Sequence, residues 1–247
     1  MKQHQTGEEA LSGKKIVIIG GSAGIGLATA KRAAAKGAQL IIASANLQRI
    51  NNALNELPEG SKGFQLDVTN ENAVKDFFEK TGELDHLIFT AGENLLLGNI
   101  TDLPLETARN FFNIRYWGAF TAVKYAAPFL SKSGSVVFTG GIAANRPNAG
   151  WSIGASICAA MEGFTKAMAM ELAPIRVNIV SPGIVETDLW SNIPTADRTQ
   201  MYAEAASKLP VKRTGTPDDI AKAYIYFMEQ EYGTGQTLIA DGGGSFV

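Results

Sequence analysis

The run Ile19-Gly20-Gly21-Ser22-Ala23-Gly24-Ile25-Gly26 follows the β-branched stretch KIVIIG and opens the helical pattern GLATAKRAAAKG. Glycines at 20, 24 and 26 permit a tight turn, close approach of a pyrophosphate to the backbone and close helix–strand packing. Free N–H groups at a helix start then face the anion. That context reads as a dinucleotide site built from Gly20, Ser22, Ala23, Gly24, Ile25 and Gly26, with any side chain at Gly20 lying in the pyrophosphate's path. The remaining side chains with chemistry are scattered. Cys158 is the single cysteine, Arg115 a lone cation in an apolar stretch, and Ser152, Ser156 and Thr139 offer hydroxyls. Of two histidines, His4 lies near the N-terminus and His86 begins a strand; neither is a catalytic candidate. No cluster with metal-ligand spacing and no nucleophile–base pair is visible.

Short apolar runs alternate with helical patterns along the whole chain: KIVIIG, AQLIIAS, KGFQLDV, DHLIFTAG, GSVVFTG, IRVNIVSPG and GQTLIAD, with helices expected near 47–57, 70–80, 104–131, 151–173 and 217–229. Strands apolar throughout are covered on both faces, which requires a parallel sheet between helices. The expected fold is α/β: a Rossmann-type, doubly wound, seven-stranded parallel sheet in a single domain over 13–247. Residues 1–12 read as a polar, flexible tail without a signal-peptide core. The strandless polar stretch 184–216 reads as a helical lid.

Composition narrows the partners. The 247 residues carry 22 Lys and Arg against 24 Asp and Glu, a net charge of -2. Neither nucleic acid nor an acidic membrane is indicated, since both need clustered basic surface. No apolar run approaches the roughly 20 residues of a membrane span, and one cysteine precludes an internal disulfide, so the expected compartment is the reducing cytoplasm.

Gly20, Gly24 and Gly26 in GxxxGxG spacing, Asp67-Val68, Thr90-Ala91-Gly92, Pro182-Gly183 with Thr187, and Leu238-Ile239-Ala240-Asp241-Gly242-Gly243 together resemble the short-chain dehydrogenase/reductase family over nearly the whole chain. Ile19 and Phe89 depart from it, where threonine and asparagine are usual. The resemblance implies a nicotinamide cofactor, with Asp67 and Val68 bracketing adenine, Ala91 and Gly92 in the cofactor turn, and Pro182, Gly183, Ile184 and Thr187 around the nicotinamide. At the end of the second strand Ser44, Ala45 and Asn46 carry no acid to repel a 2′-phosphate and no base to attract it. NADP is expected over NAD, with Ser44, Asn46 and the following helix N-terminus as neutral donors, or else only as helix caps.

Active members resemble one another in a tyrosine acid, a lysine four residues on, a serine and an asparagine. The matching positions here are Gly154, Cys158, Gly141 and Arg115, with Asn113 two residues from the last. No tyrosine occurs between Tyr125 and Tyr202 and no lysine between Lys132 and Lys166, so no gap restores the pair. The catalytic candidates left are Arg115, which could stabilise a developing alkoxide or be a structural ion pair, Cys158, a thiol acid or a small core residue, and Ser152. The small replacements widen the cleft, through drift or to admit a substrate. Two readings follow: an NADP(H)-dependent oxidoreductase with a non-standard site, acting on a small-molecule carbonyl, imine or activated alkene, or a cofactor-binding pseudoenzyme. The resemblance also implies a homotetramer with the helices at 104–131 and 151–173 pairing; Ala155, Ala159, Ala160, Ala167 and Ala169 keep the second of these slim.

Overall fold

The computed structural model describes residues 10–247. Seven parallel strands run in the order β3-β2-β1-β4-β5-β6-β7: β1 Lys15–Ile19, β2 Gln39–Ser44, β3 Lys62–Gln65, β4 Leu84–Phe89, β5 Leu130–Thr139, β6 Arg176–Pro182 and β7 Thr237–Ala240. Alternation along β1 shows why these runs are apolar throughout. Val17 and Ile19 join one core with Phe78 and Phe164, while Ile16 and Ile18 join the other with Ala30 and Tyr224. Helices α1 (Gly24–Ala35), α2 (Leu47–Leu54) and α8 (Pro217–Glu229) cover one face; α3 (Glu71–Thr81), α5 (Ala119–Ala126) and α6 (Ser152–Glu171) cover the other. The strand order reverses between β1 and β4, which opens a crevice at their carboxyl ends, where ligands of such sheets bind.

Two expectations need correction. The tail boundary at 12 is too late: Leu11 is 1% exposed in the core beneath α1 and α8, and Gly13 donates its N–H to Gly37 O at 2.9 Å. One leucine in a polar stretch is enough to anchor it. Residues 1–9, His4 among them, lie outside the described residues. Nor is 104–131 one helix. It consists of α4 (Leu105–Asn110), a π-helical turn over Asn113–Gly118, α5, and a 3-10 turn Ala127–Phe129 that carries Pro128 near its start. Pro128 cannot continue the α5 ladder, and Leu130 already belongs to β5.

The stretch 184–216 has no strand of its own. A 3-10 turn Asp188–Trp190 precedes α7 (Thr195–Lys208), which has no buried residue, and the segment closes on itself through the Val185–Gly215 bridge. His86 is a core residue: its Nδ1 lies 2.8 Å from Ser135 Oγ, and burial pushes its pKa down to about 3, so it stays neutral.

Candidate active site

A cleft of about 410 Å³ runs along the carboxyl ends of the strands. Its floor is the turn into α1. Ala23, the N-cap, is extended (φ -159°, ψ 169°) and has no side-chain oxygen to cap with, and Leu27 N makes the first helical bond, to Ala23 O. The N–H groups of Gly24, Ile25 and Gly26 are therefore left for an anion. Ser22, Ala23, Gly24, Ile25 and Gly26 all line the cleft.

The glycines divide their work differently from the sequence expectation. A Cβ at Gly20 would stand 2.5 Å from Ala91 N, and one at Gly26 would strike Gly20 O and stand 2.5 Å from Thr90 Oγ1. Both positions are demanded by packing against the end of β4. A side chain at Gly20 would therefore clash with the chain at the end of β4, while Gly20 itself also lines the cleft. Gly24, with φ +51°, faces open cleft, its nearest neighbour being Thr187 Cγ2 at 3.6 Å.

At one end Ser44, Ala45, Asp67 and Val68 line the wall. Asp67 is steadied by its own turn, its Oδ1 accepting from Thr69 N at 2.9 Å and Thr69 Oγ1 at 2.7 Å. Asn46 is not a cleft residue: its Oδ1 accepts from Arg49 N at 2.9 Å and caps α2. That cap places Arg49 in the first helical turn, where side chains lean back toward the N-terminus, and Arg49 lines the cleft. Arg49 thus brings a cation to this end of the cleft from α2. Arg49 Nη2 lies 3.3 Å from Asp188 Oδ2 across the cleft mouth.

At the other end Ala91, Gly92, Pro182, Gly183, Ile184 and Thr187 meet the four positions of interest. Arg115 sits in the π-helical turn. Its Nη2 donates to Glu93 O at 2.7 Å, and its Nε lies 3.4 Å from Glu93 Oε2. Glu93 Oε1 accepts from Ile114 N at 2.8 Å. The guanidinium lies against Gly92, where a Cβ would come within 2.5 Å of Cζ. Arg115 is therefore an ion pair, but a mostly buried one that lines the cleft, with its side chain 18% exposed. Burial lowers its pKa from an ordinary arginine's and raises that of Glu93 despite the cation beside it. Asn113 turns away, donating to Asn110 Oδ1 at 3.3 Å.

Gly141 and Cys158 face each other; a Cβ at 141 would lie 3.2 Å from Sγ. Burial pushes the Cys158 thiol up to about 11, against the pull of Arg115, so it remains protonated. Gly154 is open, with Trp151 Cε3 3.8 Å from where its Cβ would stand. Ser152 is not brought to the site: it is exposed and off the cleft wall, and its neighbour Trp151 lines the cleft instead. Ser156 is also exposed, donating to Ser152 O at 2.7 Å. Thr139 lines the cleft, but its hydroxyl is committed, donating to Phe89 O at 2.8 Å and accepting from Tyr224 at 2.7 Å. Sequence reasoning also missed Arg146, Asn148 and Trp190, which join Trp151 on the outer wall. The Trp151 and Trp190 rings lie 6.3 Å apart, linking the start of α6 to the 3-10 turn Asp188–Trp190. Among the described residues no cluster of His, Cys, Asp or Glu could hold a metal ion.

Residues 20–245 match a family model described as enoyl-(acyl carrier protein) reductase. The chain is 35% identical to the short-chain dehydrogenase/reductase ATR9 of Stachybotrys chlorohalonatus, over 96% of this chain and 98% of that one. It is also similar to the solved structure of a small-chain dehydrogenase in complex with NADPH (TM-score 0.85, 34% identity, 96% of this chain and 100% of that one). A further likeness is to the MalC reductase/Diels-Alderase of Malbranchea aurantiaca (TM-score 0.89, 26% identity, 97% and 99% covered).

Proposed function

The chain belongs to the short-chain dehydrogenase/reductase family, and from that premise we propose that it is an NADP(H)-dependent oxidoreductase that works by fixed charge instead of a tyrosine acid. The uncapped start of α1 fits a pyrophosphate, and Asp67 and Val68 fit the adenine end. Ser44 without charge, Arg49 close by and the likeness to an NADPH complex all favour the 2′-phosphorylated cofactor. When bound, that cofactor supplies hydride.

The observation that carries the reading is Arg115, held by Glu93 against Gly92 on the cleft wall beside Gly141, Gly154 and Cys158. A positioned cation there stabilises negative charge that develops on an acceptor oxygen, an effect worth about 3–4 kcal/mol for a single donor. General acid catalysis is worth about 3–5 kcal/mol, so the substitution keeps much of the rate for the right acceptor. Arg115 does not give up its proton. The acceptors best served are conjugated alkenes, whose charge after hydride addition is delocalised as an enolate, and activated carbonyls, whose electron-withdrawing group stabilises the alkoxide, each until water protonates it. An imine that enters already protonated needs no acid either. The glycines at 141 and 154 leave room for a bulky substrate against Trp151. A second reading is favoured by the likeness to MalC, named as both a reductase and a Diels-Alderase: cycloaddition moves no proton and also suits a cleft without an acid.

Arg115→Gln tests the main reading. NADPH oxidation over a panel of activated ketones, enones and imines should fall about 100-fold in kcat with NADPH affinity unchanged, and Arg115→Lys should recover part of the loss. Equal rates in parent and Arg115→Gln would overturn it.

We extend the proposal to a homotetramer in the cytoplasm. Trp117 in the π-helical turn, Phe120 in α5 and Met170 in α6 expose 54%, 42% and 81% of their surface, apolar surface on both helical segments that a partner would cover. Among the described residues no helix is long and apolar enough to cross a membrane. Light scattering at micromolar concentration should give the mass of four chains; a monomer mass would contradict the assembly.

A further inference from the structure

Resting on the reading of the cleft as an NADP(H) site, we infer that the Arg49–Asp188 pair is a strap that holds the lid closed until a 2′-phosphate takes Arg49. Three observations carry this. Arg49 lines the phosphate end of the cleft from α2, whereas Asp188 begins the lid, and their side chains meet at 3.3 Å across the opening. This part of the lid crosses the cleft at few other points: α7 has no fully buried residue, the other hydrogen bonds across the cleft are from Asn94 Nδ2 to Ser191 Oγ at 3.1 Å and to Asn192 Oδ1 at 2.9 Å, and Trp190, buried beside Trp151, is its apolar anchor. Finally, the pair is open to solvent, with side chains 53% and 67% exposed. Such pairs are weak, so a phosphate carrying nearly two charges and three acceptor oxygens outcompetes one carboxylate for a guanidinium.

The strap works by charge alone. While Asp188 holds Arg49, the aspartate is neutralised and the lid is tethered. Once a 2′-phosphate occupies Arg49, Asp188 faces a dianion without its counter-ion and is repelled. Trp190, two residues on, stays anchored by its indole N–H to Val185 O at 2.9 Å, so the segment pivots there. A cofactor without the 2′-phosphate leaves the strap intact. Discrimination between NADP(H) and NAD(H) is thereby coupled to opening of the substrate side, and Asp188 lowers affinity for the phosphate that releases it.

The test uses full-length protein with 2′,5′-ADP and 5′-AMP, which differ only in the phosphate at issue. Calorimetry gives affinity, and amide hydrogen exchange over residues 186–208 reports the lid. 2′,5′-ADP should accelerate exchange there and 5′-AMP should not. In Asp188→Asn exchange should be fast without ligand, and 2′,5′-ADP should bind about 3-fold more tightly, the scale of one exposed ion pair. Arg49→Gln should show the same fast exchange and bind the two nucleotides alike. If 2′,5′-ADP binds and exchange in the lid is unchanged or slowed, or if Asp188→Asn matches the parent, the strap is wrong while the cofactor reading stands. If 2′,5′-ADP does not bind in the cleft, the cofactor reading falls and the strap falls with it.

Discussion

Replacing Ala23 by aspartate should abolish NADPH binding and at the same time raise the melting temperature. Ala23 holds the extended N-cap conformation of α1 without a capping oxygen. Aspartate is among the best N-caps, worth about 1 kcal/mol over alanine, and it also complements the helix dipole. The N–H groups it would accept from, near Gly26, are those a pyrophosphate needs, and its charge would stand where the pyrophosphate must lie. Losing those donors and adding the repulsion should weaken NADPH by at least about 100-fold. Fluorescence titration with NADPH and a thermal melt on the same sample read the two effects. Retained binding would place the nucleotide elsewhere. The opposite signs separate this variant from Gly20→Val, in which the clash with Ala91 and Thr90 costs the fold itself.

Simple ketones should be reduced very slowly by the parent, and Gly154→Tyr with Cys158→Lys should help little until Arg115→Asn is added. A side chain at 154 starts into the cleft without a clash, the nearest atom to its Cβ being Trp151 Cε3 at 3.8 Å, and tyrosine exceeds glycine in helix propensity by a few tenths of a kcal/mol. Lysine at 158 would stand one turn away on the same face. It would also stand beside Arg115, whose charge already reaches the Cys158 thiol. Two buried cations sharing Glu93 would hold the lysine off the tyrosine. Removing Arg115 should let the pair act, with a gain of about 100-fold on simple ketones, short of a full tetrad because Gly141 positions nothing. NADPH oxidation by parent, double and triple variants makes the comparison. Efficient ketone turnover by the parent, with the triple variant inactive, would contradict it.

What the sequence reveals is set by how local each signal is. The central strands β1, β2, β4, β5 and β6 are legible because each carries an apolar run buried on both faces, whereas the edge strands β3 and β7 have no fully buried residue and are marked by little more than their short apolar runs. Helix α8 is legible to its bounds because Thr216 and Asp219 form a capping box with Pro217 in the first turn. The break after α4 is hidden, since a π-helical turn leaves the apolar pattern of 111–120 nearly unchanged. Leu11 is hidden by polar neighbours. Ser152 failed because it lies two residues from Gly154, and on a helix two residues turn a side chain to roughly the opposite side. Arg49 was missed because the expected base was sought at the end of the second strand, while the chain delivers it from α2. The one signal that could have found it is Asn46, a cap three residues earlier. Likewise nothing in the spacing links Arg115 to Glu93, which come from different elements and meet only because Gly92 leaves room.

The pH dependence of hydride transfer tests the central claim most directly. Single-turnover oxidation of NADPH by an activated carbonyl isolates the step. The groups around the reacting end are Arg115, which does not titrate, Cys158, which ionises only near 11, Glu93, whose proton comes off above the ordinary 4.5, and the buried Tyr224, whose phenol is pushed further from ionising. Catalysis by fixed charge predicts a rate that is flat from about pH 6.5 to 9, a window bounded by ordinary histidine and lying below the thiol, with a fall only on the acid side, where Glu93 is protonated and loosens its hold on Arg115. A rate that declines with rising pH along a single ionisation inside that window, slowed further in deuterated water, would show a proton donor at work and contradict the account.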